Sequence, residues 1–135
     1  MGAWGVGPLQ NDDAADWLAN LGAALPEALL LTLTRVAALD QDLYLEEPAA
    51  SEAVATAEIV AAMHGYPSPD VAETPEAVEW VRNHSNWLNP DVVQQAITAV
   101  TRVRSSSELL DLWSESPDFN LWTSRIDELL LRLSS

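Results

Sequence analysis

A chain of 135 residues is long enough for one domain with one sizeable apolar core. It contains no cysteine, which excludes a disulfide frame, a thiolate nucleophile and a zinc–thiolate site. Six basic residues, all of them arginine, stand against 21 acidic ones for a formal net charge of −15, a field that repels nucleic-acid phosphates and anionic membranes and speeds encounter with a basic protein.

The first stretch, 1–17, has the most specific pattern. Gly2, Gly5 and Gly7 bracket Trp4, and a tryptophan near a chain end is too apolar to leave in water. The expectation is an ordered arm, 1–11, that plugs Trp4 between later helices. Asn11 then caps a helix over about 12–21, with Asp12, Asp13 and Asp16 near its positive end. A second possible boundary makes Asp13 the cap and Asp16 its partner three residues on. Ala14, Trp17, Leu18 and Leu21 share a core-facing stripe, and Gly22 supplies a stop.

Pro26 suits a first helical position, and the helix it opens runs to about Leu39. Leu29, Leu30, Leu33, Val36, Ala37 and Leu39 make it apolar around much of its circumference, which predicts a central place in the core. Asp40 to Glu47 reads as a polar connection with room for a helical turn. Pro48 opens a third, alanine-rich helix that ends near His64 before Gly65, a left-handed stop. Its small side chains permit close approach of a neighbour, either within the chain or in a second copy. The break from Tyr66 to Glu73 is followed by cap-and-proline starts at Thr74-Pro75 and Asn89-Pro90. The second of these leads a helix to about Arg104 with Val93, Ala96, Ile97, Val100 and Val103 on its core face. Ser107 caps a short helix through Trp113. After a turn at Ser116-Pro117-Asp118, the last helix, about Asn120 to Leu133, aligns Trp122, Ile126, Leu129, Leu130 and Leu133. With no two-residue alternation, the reading is all-α: a single-domain irregular bundle of about seven short to medium helices.

Candidate chemistry is sparse. Asp12, Asp13 and Asp16 could together hold a hard cation or a partner's arginine, but helix starts favour acids for their own stability. His84 lies in a polar helix exit with Arg82, flanked by Trp80 and Trp87, which together have the composition of a binding patch. The competing reading makes those tryptophans anchors of a short helix and its loop. Trp17, Trp113 and Trp122 fit core stripes. No histidine spacing matches a metal motif, and the glycine run precedes no Lys-Ser/Thr, so no metal, cofactor or phosphate loop is expected.

The opening M-G-x-W-G-x-G-x-x-x-N-D-x-A-x-D-W, with Ser107-Glu108-Leu109-Leu110-Asp111-Leu112-Trp113 and the closing stretch Trp122 to Leu133, resembles a bacterial family catalogued as a domain of unknown function. The resemblance implies a small helical intracellular protein and brings no activity with it.

The first residues carry no basic region or continuous apolar core, and Val6 stands where a myristoylation motif wants Ser or Thr. The expectation is a cytoplasmic protein with no membrane or nucleic-acid partner and an open oligomeric state. Two functions remain. One is an interaction module that binds a basic protein, as an immunity protein binds its toxin. The other is a small-ligand or divalent-cation domain, or an enzyme, with an acidic site at the start of the first helix.

Overall fold

The computed structural model describes residues 12–135, and within them every regular element is helical. In chain order these are α1 (Asp12–Ala19), α2 (Pro26–Ala37), α3 (Glu47–Met63), α4 (Pro69–Ala72), α5 (Pro75–His84), α6 (Pro90–Ser105), α7 (Glu108–Ser114) and α8 (Phe119–Leu133), with 3-10 turns at Leu21–Ala23 and Ser85–Trp87. The expected arm with Gly2, Trp4, Gly5 and Gly7, and the cap at Asn11, lie outside the described residues. α1 starts at Asp12, so Asp13 sits inside the first turn instead of capping it.

Eight α-helices among the described residues exceed the seven expected because the Tyr66–Glu73 break holds the one-turn α4. Ser68 caps that turn by accepting from the Val71 amide at 3.3 Å, a local device that hydrophobic spacing does not register. At Asn89, Ser107 and Gly65 the boundary chemistry is as the sequence indicates, whereas α1 ends at Ala19 and Gly22 lies inside the following 3-10 turn instead of stopping the helix. Asn89 Oδ1 accepts from the amides of Asp91 at 2.9 Å and Val92 at 3.2 Å, and Ser107 Oγ from Leu110 at 3.0 Å. Gly65 takes a φ of +100°, which lets the Tyr66 amide reach back to the Ala61 carbonyl at 2.9 Å and close α3. Thr74 departs from expectation: its hydroxyl donates to the Asp70 carbonyl at 2.8 Å instead of capping α5.

The central helix is α3, not α2. Leu31 of α2 is 53% exposed, so α2 has a wet face, whereas nearly all of α3 from Ala50 to Met63 is buried. Alanine explains the exchange. Ala50, Ala53, Ala57 and Ala61 let α2 and α6 close on α3, while Ala55 and Ala62 serve the face packed by α1 and α5. The small side chains are therefore consumed within the chain. Two apolar clusters result, one around Leu33, Val54, Val100, Trp122, Ile126 and Leu129, the other around Ala14, Leu29, Ile59, Val71 and Trp80. Each fully buried leucine or isoleucine contributes roughly 1.5–3 kcal/mol by leaving water. On α6 the buried stripe is Val92, Ala96, Ala99, Val100 and Val103, while Val93 and Ile97 are only half-buried.

Candidate functional site

The three acids at the start of α1 do not converge. Asp13 is half-buried and hydrogen-bonds Glu47, the first residue of α3. Glu47 is only 8% exposed, and burial, then the hydrogen bond and charge of Asp13, push its carboxyl up to about 7, against the opposing hydroxyl of Ser51, which donates to its Oε1 at 3.2 Å. Glu108 adds further negative charge, yet its Oε1 also accepts from the Glu47 amide at 2.7 Å, satisfying a donor that the helix start leaves free. Asp13, Glu47 and Glu108 thus fasten α1, α3 and α7 together. Among the described residues no group of three or more acids or histidines is arranged to hold a metal ion.

Asp16 belongs to a different feature. It is exposed and lines a groove of about 230 Å³ between α1, α2 and α3. Leu21 and Leu29, each 1% exposed, and Trp17 contribute apolar lining, and the exposed Glu52 of α3 a second carboxylate. Trp17, expected in a core stripe, is half-buried because one side of it borders this opening.

Trp80, Arg82, His84 and Trp87 do not make one surface. Trp80 is 3% exposed, and its indole N–H is satisfied by the Ala24 carbonyl at 3.1 Å. His84 stacks on it with ring centroids 4.3 Å apart and its Nδ1 2.8 Å from the Trp80 carbonyl, so the imidazole is folded onto its own helix. Trp87 is half-buried where the two apolar clusters meet, and Arg82 is exposed. Trp113 and Trp122 are buried with ring centroids 6.3 Å apart. His64 lies 2.6 Å from the Ser135 carbonyl, at the edge of a mixed groove of about 500 Å³ that Val93 and Ile97 also line.

Sequence reasoning missed the buried Arg102 and Glu58. Arg102, 4% exposed, donates to the carbonyls of Leu39, Asp40, Leu43 and Ser106 at 2.5–3.2 Å, and so shapes the Asp40–Glu47 connection. Glu58, 1% exposed, lies 2.8 Å from Arg132 Nη2, and Arg132 also holds Glu128 and donates to the Tyr66 carbonyl at 3.0 Å. The signal for Glu58 was a lone acid on an otherwise apolar turn of α3; nothing in spacing identified its partner seventy-odd residues away.

These contacts decide how charge is distributed. Arg102 and Arg132 are spent inside, and Arg104 pairs with Asp127 at 3.1 Å. Arg35, Arg82 and Arg125 make no ion pair among the described residues. Most of the surface carboxylates therefore face water uncompensated. No described helix is long and apolar enough to cross a membrane.

The family model "Domain of unknown function (DUF4259)" matches residues 2–125. The chain belongs to the DUF4259 family. No curated protein and no solved structure matches it. In this DUF4259 chain the matched span takes in α1 through α7 and the first half of α8, so the groove, Glu47, Glu58 and Arg102 fall inside it, while Arg132 lies beyond it.

Proposed function

We propose that this DUF4259 protein is an acidic, cytoplasmic interaction module that binds a basic protein, in the manner of an immunity protein holding a toxin. The observation that carries the reading is the imbalance of charge: 21 acidic residues stand against six arginines, of which Arg102 is buried against carbonyls and Arg104 and Arg132 are held in ion pairs. That imbalance leaves a negative potential at the surface. A potential of this sign steers a basic partner into encounter and is weakened by salt.

The test is co-purification of the tagged protein from its native host at low and at high salt, followed by rebinding with both purified components. A basic partner that is retained at low salt, lost at high salt and recovered in the rebinding is the expected result. Specific partners of neutral or acidic character, or none in either condition, overturn the reading and leave the acidity as a device for solubility.

A further inference from the structure

We infer that the groove between α1, α2 and α3 receives an arginine side chain of the basic partner. The inference rests on the interaction reading above and gives it a surface. Asp16 and Glu52 come from different helices and both remain exposed, and no basic residue of the described chain lines the opening between them. Trp17 and the buried Leu21 and Leu29 supply apolar lining, with Asn20 and Thr32 as further polar members. Two carboxylates sharing a groove with aromatic and aliphatic lining match a side chain with an apolar stem and a cationic tip. At about 230 Å³ the groove lies below the roughly 300–1,000 Å³ of pockets that enclose small-molecule ligands, and suits a single inserted side chain.

Arginine fits better than lysine on chemical grounds. Its planar guanidinium stacks on an indole face and presents a fork of donors to carboxylates, whereas an ammonium is a more strongly hydrated point charge. Trp17 also differs from Trp80, whose indole N–H is committed to a carbonyl and whose face is covered by His84. The Trp17 side chain is half-buried and borders open space. An incoming guanidinium would complete its cover and neutralise two carboxylates that have no cation of their own in the described chain.

The experiment is an amide NMR titration of the full chain with hexa-arginine amide at low salt, repeated with hexa-lysine amide. Two charge-matched double variants are compared: Asp16→Asn/Glu52→Gln in the groove and Glu76→Gln/Glu79→Gln on exposed positions of α5. The expected result is that shifts centre on Asp16, Trp17 and Glu52 and that hexa-arginine binds more tightly than hexa-lysine. The groove variant should weaken binding about tenfold, equivalent to about 1.4 kcal/mol, and the α5 variant less than about twofold. All four positions are exposed, so unchanged melting of both variants checks that the fold is intact. Equal weakening by the two variants, or shifts spread over the acidic surface, overturns the groove while leaving a basic partner in place. Absence of hexa-arginine binding overturns the groove as well, and the co-purification then decides the broader reading separately.

Discussion

The two carboxylates buried along α3 reach the same state from opposite surroundings. Glu47, at the start of the helix, is pushed up to about 7 by burial and then by the acids Asp13 and Glu108 beside it. Glu58, three turns further on, is pushed up to about 7 mainly by burial, with Arg132 pulling the other way and Glu128 and Asp70 adding to the rise. Near the surface, crowding of like charge adds to a moderate desolvation. In the core, desolvation is strong enough to outweigh an adjacent guanidinium. Both groups take up a proton more readily in the folded chain than their ordinary value of 4.5 allows in the unfolded one. The sign follows: the contribution of these two groups to stability is greatest below 4.5, falls as pH rises through the interval to about 7, and levels off above it.

The largest break in this comparison is Arg132→Met. It keeps the volume of the stem but leaves Glu58 buried without its cation. Near pH 8 the variant should lose about 3–5 kcal/mol, as expected when one member of a buried pair is removed. Near pH 5 the loss should shrink, because a protonated Glu58 needs no counter-charge. Chemical denaturation at both pH values measures it, and an equal loss at both would mean that Arg132 acts through Glu128 and the Tyr66 carbonyl alone.

Glu58→Gln comes next and has the opposite sign. The amide imitates the protonated acid, so near pH 8 it should be more stable than the parent by about 2 kcal/mol, within the range that a shift of this size allows. Near pH 5 the two should coincide. A variant weaker than the parent at high pH would show that the ion pair repays its desolvation.

These charges also mark where the sequence stopped being legible. Caps and prolines are short-range chemistry, so Asn89-Pro90, Ser107 and Gly65 announced their helix boundaries from neighbouring residues alone. The rank order of helices in the core was not local. Leucine content pointed to α2, but alanine content decides which helix can be surrounded, and α3 takes the centre. Arg102 and Arg132 were visible as two of only six basic residues, yet their partners are carbonyls and a carboxylate brought near by folding. The same holds for the candidate sites. Asp12, Asp13 and Asp16 read as one cluster in the chain, and folding sends Asp13 to Glu47 and Asp16 to the groove. Trp80 read as half of a surface patch because nothing in sequence revealed that Ala24 would offer it a carbonyl.

The smallest effect belongs to the crowded end of α3 and separates two roles for Asp13. Asp13→Asn keeps a hydrogen-bonding side chain against Glu47 and removes the like charge. If crowding dominates, the variant gains up to about 1 kcal/mol near pH 8, where Glu47 is ionised. Near pH 5 Glu47 carries a proton and the repulsion is gone, so what remains is the loss of an acid from the first turn of α1, worth about 0.3–1 kcal/mol against the variant. The difference between variant and parent should therefore change sign between the two pH values. A variant weaker by the same amount at both would make Asp13 a first-turn acid and nothing more, and the raised carboxyl of Glu47 would then rest on burial and Glu108.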